Sequence, residues 1–142
     1  MAVELVTTVH AALVLLVVEA TIRSVSIDRL SVRLGCPLDM SPHPAEASMT
    51  PQRDLDRRAR RELRCAYRVT AVWPFSDGPC LRRALVAGHL LRRLDARLRL
   101  GTYDEGGRPV AHAWLLVDGR PIEDVSGYRH FDAVPAGSRG VS

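Results

Sequence analysis

A chain of 142 residues and 15.7 kDa has room for one domain with a real core and little more. With 46% hydrophobic and 25% charged residues it is not a disordered segment, and a net charge of +4 is too small to argue for nucleic acid. Its basic residues are all arginine; the lack of lysine and asparagine excludes a Schiff-base lysine, a P-loop lysine and a Cys-His-Asn triad, and Gln52 is the one glutamine available as an oxyanion donor.

Residues 3–23 read as a helix whose apolar surface (Val3, Val6, Val9, Leu13, Leu16, Val17) is broad enough to predict packing on most sides. The uninterrupted apolar run Ala11–Val18 is too short to cross a bilayer and follows no basic residue, so a buried first helix is expected rather than an anchor or signal peptide. A short helix over Ile27–Leu34 should stop at Gly35. Residues 36–50, with Pro37, Pro42 and Pro44, form a linker-like stretch. Thr50-Pro51 carries the signature of a helix start, and the helix it opens should run to about Val72.

That helix bears Arg53, Arg57, Arg58, Arg60, Arg61 and Arg64. Asp54/Arg58, Asp56/Arg60 and Arg58/Glu62 lie four apart, which predicts pairing along a solvated surface. A polyanion-binding face and a docking surface for an acidic protein are the functional alternatives. After Trp73-Pro74 and a Ser76-Asp77-Gly78-Pro79 turn comes an apolar helix over Leu81–Leu94 with Cys80 in its first turn. The period then switches to strands: Arg97–Leu100, a turn over Asp104–Gly107, Val110–Val117, an Asp118-Gly119 turn and Pro121–Val125. Helices followed by an antiparallel sheet predict an α+β fold, with residues 135–142 a flexible tail.

Cys36, Cys65 and Cys80 are odd in number, form no CxxC and have no histidine at zinc-ligand spacing; a reduced, cytoplasmic protein without a metal site is expected. Cys36 and Cys65 read as structural. Cys80 differs, because the unpaired N–H groups and dipole at a helix N-terminus favour a thiolate and offer a donor for an oxyanion. Of five histidines, His10 lies in the apolar first helix, His43 between prolines and His130 near the chain end. His89, nine residues beyond Cys80, faces the opposite side of its helix. His112 remains, flanked by alanines in mid-strand. A three-residue hairpin loop over 117–119 would set Asp124 across from His112 and turn Glu123 away; a two-residue Asp118-Gly119 turn would put Asp124 on the far face. Cys80, His112 and Asp124 would then supply nucleophile, base and orienting carboxylate for an acyl-enzyme mechanism that needs no cofactor. Trp73, seven residues before Cys80, is the candidate second oxyanion donor.

The stretch Cys80-Leu81-Arg82-Arg83-Ala84-Leu85, the following Leu-Leu-Arg-Arg, Leu98-Arg99-Leu100-Gly101, Ala111-His112-Ala113-Trp114 and Val117-Asp118-Gly119 resemble one family. It is the transglutaminase-like cysteine leader peptidase of lasso-peptide biosynthesis, the B2 protein, and the likeness is strongest over residues 78–132. The resemblance implies a papain/transglutaminase-like core, with a helical N-terminal half packed on a small antiparallel sheet. It implies one domain over residues 1–142, in which a helical N-terminal region (1–50) precedes a catalytic core (51–134) and the tail (135–142). Position by position it assigns Cys80, His112 and Asp124 as the triad. The activity implied is removal of the leader from a ribosomally made lasso precursor peptide in the bacterial cytoplasm. With no room for a fused leader-recognition domain, the chain resembles the split form. It would therefore act with a separate leader-recognition protein of B1 type and ahead of the macrolactam cyclase, a further candidate partner, with no role for nucleic acid or membrane. Arg57, Arg60 and Arg61, or the first helix, are the candidate docking surface. The competing readings are acyl transfer to an amine by the same triad, and a non-catalytic peptide-binding adaptor.

Overall fold

The computed structural model describes residues 1–41, 51, 54–74 and 79–130. Thr50, Gln52, Arg53, His43, the turn residues 75–78 and the predicted tail lie outside them. In chain order the elements are α1 (Ala2–Thr21), α2 (Ile27–Arg33), α3 (Arg57–Ala71), α4 (Pro79–Leu90), a 3₁₀ turn at Arg92–Leu94, β1 (Arg97–Glu105), β2 (Arg108–Val117), β3 (Arg120–Pro121) and β4 (Tyr128–His130). The strands form one antiparallel sheet in the order β3-β2-β1-β4. The α+β expectation holds.

α1, α3 and α4 pack on one another, and α4 covers one face of the sheet. Ala11, Val14, Leu15 and Val18 of α1, Leu85 and Val86 of α4, and Leu98, Ala113, Leu115 and Val117 of the sheet share this main core. Because strand side chains alternate, Trp114 and Leu116 point the other way, into a second small cluster with Val125 and Tyr128. α4 lies close to the sheet because residue 88 is glycine. A Cβ there would come within 2.6 Å of Cys36 Sγ, 2.7 Å of Cys36 Cβ and 3.1 Å of Leu115 Cδ2.

α2 stops where the sequence says. Gly35 takes φ +77, and the N–H groups of Gly35 and Cys36 donate back to Val32 and Ser31 at 3.0 Å each. α3 does not begin at Thr50-Pro51. It begins at Arg57, capped by Asp56, whose Oδ1 accepts the Ala59 N–H at 2.6 Å; Leu55, buried against the core, keeps the preceding residues out of the helix. A carboxylate offers the helix's unpaired donors a charged acceptor, stronger than a hydroxyl.

α1 is also corrected. Val3, Val6, Val9, Leu13, Leu16 and Val17, expected inside, are all more than half exposed, while the opposite side of the helix packs on α3 and α4. At twenty residues α1 is also longer than the apolar run suggests, and it is long and apolar enough to cross a membrane. Its two carboxylates are held within the domain. Glu4 accepts from Arg68 Nη1 at 2.7 Å, and Glu19 receives Arg82 through Nε at 2.6 Å and Nη2 at 3.1 Å.

Both tight hairpins use two-residue turns with positive φ at both positions, Gly106-Gly107 (60, 86) and Asp118-Gly119 (51, 74). This backbone twist matches that of the flanking strands. The second turn pairs Val117 with Arg120 and Leu116 with Pro121, so the three-residue loop expected at 117–119 does not form. β3 ends at Pro121.

Candidate active site

Cys80 is the second residue of α4, directly after Pro79, and is half-buried against the main core. Proline at the first helical position gives up a donor the helix would have left unpaired anyway, and the N–H groups just beyond it have no intrahelical acceptor. The other two thiols are fully buried. Burial pushes Cys36 up to about 12. Cys65, in the middle of α3, accepts the Thr8 hydroxyl at 3.4 Å and faces the Glu4 carbonyl. Cys80 alone is open to a reagent or substrate.

His112 sits in the centre of β2 opposite Gly101, on the sheet face turned away from α4. Three rings surround it: Tyr128 at 4.8 Å and Tyr103 at 5.7 Å, both edge-on, and Trp114 stacked at 6.2 Å. Gly101 makes this surround possible. A Cβ there would lie 2.1 Å from the Arg129 carbonyl oxygen and 2.8 Å from Trp114 Cη2, so any larger residue would expel β4 or the indole. The ring's Nε2 is enclosed and makes no hydrogen bond. The nearest carboxylate oxygen among the described residues is Glu123 Oε2, at 3.7 Å.

The carboxylate beside His112 is therefore Glu123, which the three-residue loop would turn away, and not Asp124. With the two-residue turn the register moves by one, and every later side chain changes face. Asp124 is exposed. Its Oδ1 accepts the Ser126 N–H at 2.9 Å, and Ser126, through its backbone and then its hydroxyl, holds the carboxyl below its ordinary value. The residues after β3 wrap around the open edge of β2, with Ile122 packed into the main core and Val125 into the cluster with Trp114. Glu123 lies at this crossing. It lines a cavity with Tyr67, Arg83, Ala84, Ala87, Leu115 and Ile122, and reaches His112 from there. At about 10 Å³ the cavity admits no more than a water molecule. Arg83, one turn after Cys80, stacks over the Tyr67 ring at 5.1 Å. Burial, then the negative charge of Glu123, raises Tyr67; burial, then Glu123 and Tyr103, raises Tyr128. Glu123 thus links the α4 side of the sheet to the histidine side.

Among the described residues no hydrogen bond joins Cys80 to His112. The structure does not bring the two side chains onto one face: α4 carries Cys80 against one face of the sheet, and His112 projects from the other with Trp114. Trp73 does not serve as a free oxyanion donor: its Nε1–H donates to Glu19 Oε2 at 3.3 Å, drawn there by the same carboxylate that holds Arg82. That pairing keeps Glu19 below the ordinary carboxylate range, the Arg82 hydrogen bond being the main cause. Gln52 lies outside the described residues. His89 is occupied with the Leu34 carbonyl at 3.0 Å and with His10 at 3.3 Å; His10 itself is exposed, not a core histidine. No three His, Cys, Asp or Glu side chains converge on a metal-sized site among the described residues.

Of the three pairings expected along α3, only Arg58–Glu62 forms, at 2.9 Å. Asp56 turns to its capping role and to Arg93, and Glu62 is shared with Arg93. Arg57, Arg60 and Arg64 fall on the outer side of the helix, while Arg61 is half-buried beside α1 with its Nε enclosed and without a hydrogen bond; none of the four has a carboxylate of the described residues within ion-pair distance, Arg60 Nε donating instead to the Leu55 carbonyl at 2.7 Å. The predicted solvated ion-pair face is instead three exposed, unneutralised guanidinium groups, Arg57, Arg60 and Arg64.

Glu123 is legible in principle. Asp-Gly is a strong two-residue turn signal, and taking it at face value gives the observed register. Tyr103 and Tyr128 carry no such signal, since the pairing of β1 with β4 is non-local.

A family model of the transglutaminase-like superfamily matches residues 13–136. No curated protein and no solved structure matches the chain. The chain belongs to the transglutaminase-like superfamily, whose members are often cysteine peptidases or acyltransferases.

Proposed function

We propose that this transglutaminase-like domain is a cysteine peptidase that removes the leader from a lasso-peptide precursor, with Cys80 as nucleophile and His112 as base. One observation carries the reading: the one accessible thiol opens α4, and Glu123, which lines a cavity with Arg83 of that helix, lies 3.7 Å from a histidine enclosed by three aromatic rings. In this scheme the imidazole takes the thiol proton through Nδ1, while Glu123 faces Nε2 and favours the imidazolium that results. Thiolate sulfur attacks the scissile carbonyl, and N–H groups of the first turn of α4 receive the oxyanion. The amine leaves with the proton from His112, and water releases the leader from the thioester. Asp124, assigned by resemblance, orders its own turn through Ser126.

The site is supplied with substrate by a separate leader-recognition protein, docked on α3 at the exposed Arg57 and Arg60 and at Arg61 on the side toward α1, and the setting is the bacterial cytoplasm. Superfamily membership also favours acyl transfer to an amine as a second reading; it shares every step but the last. The test is incubation with a lasso precursor peptide, with and without the leader-recognition protein, read by product mass. Cleavage at one bond, abolished in Cys80→Ala, is the expected result. A product heavier by an added amine would convert the reading to acyl transfer, and an intact precursor that still binds would leave an adaptor.

A further inference from the structure

Among the described residues nothing packs on the outer side of α1. Val3, Leu5, Val6, Val9, Leu13, Leu16 and Val17 are 51% to 68% exposed, with no charged side chain among them. Together they leave roughly 600 Å² of contiguous apolar surface, at or above the largest patch on an ordinary monomer. The exposed positions are also spaced in a particular way. Ala2, Val6, Val9, Leu13, Leu16 and Ala20 alternate steps of four and three through the whole helix. A repeat averaging 3.5 residues is the seam of a helix that packs along a second helix, whereas a lipid-facing surface has no need of it.

We propose that this seam is a dimer interface, in which α1 pairs antiparallel with α1 of a second copy. Two such faces would bury roughly 1,200 Å², the size at which stable protein interfaces begin. Orientation follows from charge. Arg58 and Arg61 flank Val3 and Val6 at the N-terminal end of the stripe, and Arg68 is tied to Glu4 there. A parallel pair would bring two arginine faces together; an antiparallel pair separates them by about 30 Å, the length of the helix. In that arrangement Val9 faces Leu13, Val6 faces Leu16, and small Ala2 faces small Ala20, so the seam is self-complementary under a two-fold axis.

Light scattering on the full chain across a concentration series tests this. The expected mass is twice 15.7 kDa, with Leu13→Glu weakening the dimer roughly tenfold or more by placing a charge in an apolar seam. Leu13 is exposed, so far-UV circular dichroism and melting temperature should not change. In a Cys80→Ala background oxidised with diamide, Val9→Cys/Leu13→Cys should form a covalent dimer and Leu13→Cys alone should not. A monomer at every concentration, a dimer indifferent to Leu13→Glu, or a monomer that sediments with anionic phospholipid vesicles would each overturn the proposal.

Discussion

Replacing Gly88 with alanine tests how closely α4 is seated on the sheet. In an unconstrained helix the change would stabilise, by about 0.5–1 kcal/mol, because glycine is the poorer helix former. Here the added methyl would meet Cys36 Sγ at 2.6 Å, Cys36 Cβ at 2.7 Å and Leu115 Cδ2 at 3.1 Å. A Cβ is fixed to its backbone and cannot swing aside, so α4 or the chain at residue 36 must move. Overpacking of that kind costs about 1–3 kcal/mol. The net expectation is a loss of about 1–2 kcal/mol, read by thermal denaturation as a drop of roughly 3–7 °C for a chain of this size. Cys36→Ala should recover only a fraction of it, since that change removes Sγ and leaves the Cβ contact. An unchanged or higher melting temperature in Gly88→Ala would refute the close seating of α4, and with it the placement of Cys80 relative to the sheet.

The other expectations concern the site and the surrounding fold. Glu123→Gln should lower peptidase turnover roughly a hundredfold, and Asp124→Asn by no more than a few fold; the reverse order in a steady-state assay would return the orienting role to Asp124. Burial, the leading cause, holds His89 below its ordinary value of 6.5 in the folded state. As pH falls through that value, the unfolded chain takes up a proton that the folded one refuses, so stability declines toward acid. Urea denaturation at pH 7.5 and 5.5 should show this loss, reduced in His89→Gln; an equal loss in the variant would exclude His89 as a cause. Gly119 holds φ +74 with open space around it. Gly119→Ala should therefore cost about 1 kcal/mol from backbone strain alone, measured by chemical denaturation.

Local signals carry much of the architecture. The Gly35 helix stop, the Asp118-Gly119 turn and the switch from helical to strand period after Leu94 appear where the sequence places them, and the turn expected over Asp104–Gly107 narrows to Gly106-Gly107. What fails depends on competition or on long-range contact. α1 has apolar seams on two sides, and composition does not say which one the domain uses. Thr50-Pro51 looks like a helix start, but the burial of Leu55 and the carboxylate of Asp56 move the start to Arg57. Asp56 caps the helix and pairs with Arg93, and Glu62 is divided between Arg58 and Arg93, which leaves Arg57, Arg60 and Arg64 exposed without a carboxylate. Residue type and local position single out Cys80 and His112; they do not single out the carboxylate, because a one-residue change of loop length exchanges Glu123 for Asp124.

The central claim is that Cys80 is a thiol activated by His112. Alkylation by iodoacetamide at pH 7, with each cysteine followed by peptide mass, tests it most directly. Cys80 should react at least roughly tenfold faster than Cys36 and Cys65, and its rate should fall roughly tenfold in His112→Ala. A Cys80 that reacts no faster than the buried thiols, or at the same rate without His112, would contradict the account.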